Sequence, residues 1–232
     1  MKKLLIMFGK TLGLASAITL FAAVSSANAV VIDFTRSPLG SSGVDGGIGW
    51  TLSVAMGGAL NNSELQNGPT CVGLSCVTDG FGIGDDEIGI LTGDAGSREV
   101  LLLTFNQPVN VSRLMFLDLF DNSSVDGGSV ERAYVGTDGS TYPFTFDGTE
   151  GPAPSTSGFL NADVTGVAGL QTITALYFTA FLPNLDDNSN DYALAGVDVN
   201  AVPLPASLPL FASGLGVLGY ARWRKRKKAK RA

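Results

Sequence analysis

The sequence predicts an all-β fold: an antiparallel β-sandwich of jelly-roll-like type, flanked by an N-terminal signal peptide and a short C-terminal transmembrane helix. Three observations predict it. No long stretch between residues 30 and 201 keeps helical periodicity, and Gly, Asn, Asp and Ser recur at roughly ten-residue intervals. The runs between those punctuation points are β-rich, and several alternate in polarity.

Taken in order, the predicted strands are 30–35, 49–55, 99–105, 112–120, 129–136, 141–146, 171–180 and 192–200. In the fourth, Leu114, Phe116, Asp118 and Phe120 share one face while Met115, Leu117 and Leu119 share the other, so both faces are covered and the strand is central. The run 171–180 divides in the same way, with Leu176, Phe178 and Ala180 opposing Ile173, Ala175 and Tyr177. Turn signals separate the runs, among them Asp126-Gly127-Gly128, Asp138-Gly139 and Asp147-Gly148. Residues 30–201 read as one domain. A body of about 170 residues can bury a core without metal or disulfide support.

Charge is distributed unevenly. Between residues 30 and 201 there are 4 Lys or Arg against all 21 Asp and Glu, a net of −17, whereas the last eleven residues carry +8. Such a body is repelled by phosphate backbones, which argues against nucleic-acid binding. The chain has no histidine. That excludes Ser-His-Asp and Cys-His catalysis, imidazole bases and His-ligated zinc.

The two ends read as addresses. Residues 1–29 have Lys2, Lys3 and Lys10 in front, an uncharged apolar stretch, and small residues ending Ala27-Asn28-Ala29, the layout of a signal peptide cleaved after Ala29. At the other end, Val202-Pro203-Leu204-Pro205 opens an uncharged stretch whose prolines keep a helix from starting before about Leu208. From there to Ala221 a helix rises about 21 Å, a short membrane span. Arg222, Arg224, Lys225, Arg226, Lys227 and Lys228 then hold the C-terminus in the cytoplasm and leave the body outside.

The order of Val202-Pro203-Leu204-Pro205, a Gly-interrupted apolar stretch (Gly214, Gly216, Gly219) and a terminal basic cluster resembles the PEP-CTERM sorting signal. The name-giving Pro-Glu-Pro reads Pro203-Leu204-Pro205 here, a Val-Pro-Leu-Pro variant. The resemblance covers residues 202–232. It implies an exported protein of a Gram-negative bacterium, whose tail anchors it transiently in the membrane and is recognised by an exosortase, a cysteine-type membrane transpeptidase. It also implies an association with exopolysaccharide and biofilm at the cell surface or in the extracellular matrix. The span Gly80-Phe81-Gly82-Ile83-Gly84-Asp85-Asp86-Glu87-Ile88, followed by a strand opening at Glu99, resembles a recurring pattern in the bodies of such proteins.

Cys71 and Cys76 are the only cysteines, and in an oxidising compartment they are expected to form a disulfide that pins a local turn. By loop entropy that bond contributes about 2 kcal/mol at most. Three acidic groups offer oxygen ligands to calcium: Asp85, Asp86 and Glu87; Asp118, Asp121 and Asp126; and Asp186, Asp187 and Asp191. The alternative for each is a solvated turn whose Asp and Asn side chains cap local backbone groups. A calcium site would need the 85–87 loop to converge with another group, because three adjacent side chains cannot all face one ion.

Trp50 and Tyr142 are candidate rings for stacking on a glycan, against the alternative of burial in the sheet. Carboxylates are plentiful, but nothing in the sequence pairs two of them at the separation a glycosidase requires, and no nucleophile elbow or phosphate loop is present. The expectation is a non-enzymatic structural or adhesive protein. A calcium-dependent carbohydrate-binding module and a secreted hydrolase are the competing classes.

Overall fold

The computed structural model describes residues 29–36, 40–62, 71–84, 87–89, 98–121, 130–149, 157–180 and 190–202, with 211, 214–216 and 218–219. The unit Ser26–Pro203 contains every strand among the described residues. Phe211, Gly214, Leu215, Gly216, Leu218 and Gly219, which belong to the other unit, are helical. Among the described residues no helix is long and apolar enough to cross a membrane. The signal segment 1–28, Pro203, Leu204, Pro205 and the basic residues from Arg222 onward lie outside the described residues.

The strands in chain order are β1 (Val30–Asp33), β2 (Ser42–Asp45), β3 (Ile48–Met56), β4 (Leu60–Asn61), β5 (Gly82–Ile83), β6 (Val100–Leu117), β7 (Arg132–Gly136), β8 (Phe144–Asp147), β9 (Leu160–Asp163), β10 (Ile173–Thr179) and β11 (Ala193–Ala201). All pairings are antiparallel. Nine strands form one hydrogen-bonded sheet along the path β1-β11-β6-β10-β7-β8, with β3 and β9 also on β6 and β2 on β3.

The 18-residue β6 organises the body, and it corrects the prediction of two strands at 99–105 and 112–120. Its first part pairs with β3 and β10, as in Trp50↔Phe105 and Phe178↔Leu101; its second pairs with β11 and β9, as in Val197↔Leu114 and Ala162↔Leu114. Leu101 and Phe116 would stand about 50 Å apart on a straight strand. Yet the Phe116 ring lies 6.4 Å from that of Phe178, the partner of Leu101. The strand therefore doubles back between its two sets of partners, near Asn106-Gln107-Pro108, and lays the sheet over on itself. Proline carries no ladder donor, so Pro108 suits that corner, and its carbonyl accepts the Val202 N–H at 3.1 Å. The result is a sandwich-like all-β fold in which β6 belongs to both layers, whereas a jelly roll is a double-sheet structure of two Greek keys.

Between the layers lies one apolar core that draws Ile32 from β1, Trp50 from β3, Leu103 and Phe116 from the two parts of β6, Val135 from β7, Phe178 from β10 and Val197 from β11. Phe34 meets Trp50 edge-on at 5.2 Å, and Phe116 meets Tyr192 edge-on at 5.3 Å. Such ring pairs add about 1 kcal/mol each to their burial.

The second face of β6 and β11 is buried as well, under the loop closed by the Cys71–Cys76 disulfide. Cys71, Leu74 and Cys76 pack with Met115, Leu117, Ala193 and Ala195. Asp33 holds that loop down, its carboxylate accepting from the Ser75 N–H at 2.9 Å and the Ser75 hydroxyl at 2.6 Å. The bond therefore fixes a cover on an apolar face in addition to pinning its own turn.

Candidate functional site

The described members of the acidic groups, Glu87, Asp118, Asp121 and Asp191, lie toward the end of the body where β11 begins. Phe81 and Leu194 exchange backbone hydrogen bonds of 3.0 and 2.9 Å, and the Ile88 N–H donates to the Tyr192 carbonyl at 2.8 Å. This lays the end of the acidic loop along the start of β11. On the strand's other side Ala193 is paired with Leu117, so Asp118 follows at once. Gly89 sits between two carboxylates. Its N–H donates to Glu99 Oε2 at 2.8 Å, and a Cβ placed on it would lie 3.7 Å from Asp191 Cβ.

Of the predicted ligands, Glu87 and Asp191 are half-buried and come to this end together; Asp121 joins Val130 in an isolated bridge nearby. Asp118 is buried, with its backbone in the left-handed region at φ 55°. That conformation ends β6 at Leu117 and shifts the alternation. Leu119 consequently joins Leu114 and Phe116 in the main core while Met115 and Leu117 face the disulfide loop, which corrects the predicted face assignment beyond Leu117. Asp85, Asp86, Asp126, Asp186 and Asp187 lie outside the described residues. Among the described residues, no three carboxylate or cysteine side chains are arranged to hold a metal ion.

Three residues outside the predicted carboxylate groups secure this end. Glu99, buried at the mouth of β6, takes the Gly89 N–H; Glu131, buried ahead of β7, accepts the Phe120 N–H on its carboxylate. Asn190 uses both sides of its amide: its oxygen accepts the Arg132 N–H, and its nitrogen donates to the Arg132 carbonyl at 2.9 Å and to the Ala180 carbonyl. That ties β7 to the end of β10. The only sequence signal was a Glu or Asn next to a β-rich run; the backbone groups they hold lie up to 58 residues away.

Elsewhere Asp138 and Asp163 serve as turn caps. Asp138 accepts the Ser140 and Thr141 N–H groups at 2.9 and 2.8 Å together with the Thr141 hydroxyl. These bonds hold its carboxyl at about 2, well below the usual range. Asp163 is lowered in the same way by the Thr165 N–H.

Neither predicted stacking ring is presented to solvent. Trp50 is 3% exposed, packed against Phe34, with its indole N–H on Asp45 at 2.8 Å. Tyr142 is 7% exposed, with Arg98 placed 4.9 Å over its ring and its phenol raised above the ordinary value by burial. Large rings bury readily in a β fold; Trp50 does so in the main core and Tyr142 in a smaller cluster with Val100 and Tyr134.

No protein-family model, curated protein or solved structure matches the chain.

Proposed function

We propose that this is an exported cell-envelope or extracellular-matrix protein, carried across the inner membrane by its signal peptide, anchored transiently by its tail and sorted by an exosortase-type transpeptidase. Its acidic β body then acts as a structural or adhesive element of an exopolysaccharide layer or biofilm, without catalysis of its own. The observation that carries this reading is the order of address segments around the body: small residues ending at Ala29 before it, and Val202-Pro203-Leu204-Pro205, an apolar stretch and eight cations after it. The fold agrees with those limits. Strand pairing starts at Val30 and ends at Ala201, and Val30 is paired with Val199, so both ends of the body leave it side by side. Removing both addresses would cut no strand among the described residues.

A body tethered at that end would present its acidic end about 30 Å away, the length of β11. The reading is tested by replacing Arg222, Arg224, Lys225, Arg226, Lys227 and Lys228 with neutral residues in the native host. Tail processing and retention should fail. Unchanged processing would contradict the proposal.

Calcium-dependent carbohydrate binding is the second reading, favoured by Glu99 and Asp191 flanking Gly89. Calorimetric titration of the protein with calcium, with and without chelator, separates the two.

A further inference from the structure

A groove of about 440 Å³ lies across three neighbouring strands, β2, β3 and β6, within the range of small-ligand sites. Its lining follows the register Ser42↔Thr51↔Thr104 and Val44↔Gly49, with Asn106 folded over Gly49. The row between, Gly43↔Trp50↔Phe105, has its two rings buried in the core, so the flanking rows face outward. Gly49 has no side chain, so Asn106 lies over it at the edge of the hollow; the Gly49 N–H donates to Asn106 Oδ1 at 2.9 Å.

Around that hollow stand the hydroxyls of Ser42, Thr51 and Thr104 and the amide of Asn106, with no charged side chain in the lining. The adjoining carboxylate, Asp45, is engaged by Arg36 at 3.2 Å and by the Trp50 indole at 2.8 Å. Hydroxyl and amide groups at strand spacing, about 4.8 Å apart, suit a ligand rich in hydroxyls. A body of net charge −17 repels polyanions, and the groove offers a cation no carboxylate.

We infer that this groove binds a neutral polysaccharide segment, without calcium. The inference rests on the proposed role in an exopolysaccharide layer and names the surface that would contact it. The test uses the full chain in detergent on an array of neutral glucan, mannan and xylan oligosaccharides, with oligogalacturonates alongside, in the presence and absence of chelator. Wild type should bind neutral glycans equally in both conditions. The double variant Thr104→Val, Asn106→Ala should lose at least tenfold in affinity, and Thr51→Glu should do the same; an unchanged denaturation midpoint would show that each variant is folded. The inference is overturned if wild type binds no neutral glycan, if it binds only oligogalacturonates, if chelator abolishes binding, or if the folded variants bind as well as wild type. A blank array would leave the export reading standing, because that is judged from the termini of the mature chain.

Discussion

At the end of the body where β11 finishes, backbone donors from neighbouring segments are taken by amides within reach of water: the exposed Asn106 for Gly49 and the half-buried Asn110 for Thr172. At the end where β11 begins, the acceptors are the buried carboxylates of Glu99 and Glu131 and the Asn190 amide oxygen, while the Asn190 amide nitrogen donates to the Arg132 and Ala180 carbonyls. The difference follows from what each end must do. The bonds at Asn106 and Asn110 are exposed, so water can satisfy any group there that the protein does not. The acidic end closes over buried backbone, where an unmet donor costs about 1–3 kcal/mol and a charged acceptor gives the stronger bond. Carboxylates in such a body therefore divide into solvated turn caps, such as Asp138, and buried clamps, such as Glu131.

The comparison is tested most severely at Phe116, whose ring joins Phe146, Phe178 and Tyr192 near the closed end. Phe116→Ala should cost about 3–5 kcal/mol in chemical denaturation. A loss under 1 kcal/mol would mean that the layers are not packed through this ring. Glu131→Ala should cost about 1.5–3 kcal/mol, because it strands the Phe120 N–H. Replacing both cysteines by serine should cost about 2 kcal/mol and increase binding of a hydrophobic dye as the cover over Met115 and Leu117 loosens. Asn110→Ala, at the open end, should cost under about 1 kcal/mol. Equal losses at Asn110 and Glu131 would erase the distinction between the ends.

The smallest effect concerns pH. Asp138 is held at about 2 in the folded protein against 3.8 for an unperturbed carboxyl. Its contribution is thus fully present above the unfolded value and is lost as pH falls through about 2. Side-chain carbon NMR should place its midpoint there, and Asp138→Asn should remove that part of the acid dependence.

Much of this architecture was legible because apolar alternation is a local property. The runs 49–55, 171–180 and 192–200 became β3, β10 and β11 with small shifts of their ends. β2 and β9 were not legible: Ser42-Gly43-Val44-Asp45 has one apolar residue, itself exposed, and Leu160-Asn161-Ala162-Asp163 is little stronger. These strands are held by a neighbour's ladder more than by their own pattern. The unity of β6 was hidden by Pro108, which breaks an ordinary ladder and is tolerated at a corner. At the acidic end the composition announced carboxylates, but the convergence of Ile88 with Tyr192, and the work of Glu131 and Asn190, depend on partners distant in sequence. Trp50 and Tyr142 show the same limit, since nothing local tells which face of a strand will be covered.

The central claim is that the β body is delivered by one address and released from the other. Mass spectrometry of the mature protein from its native host reads both termini in one experiment. The account predicts a chain beginning at Val30 and lacking the basic cluster that ends at Ala232. Recovery of a chain that still carries Ala232, in cells that contain an exosortase, would contradict it.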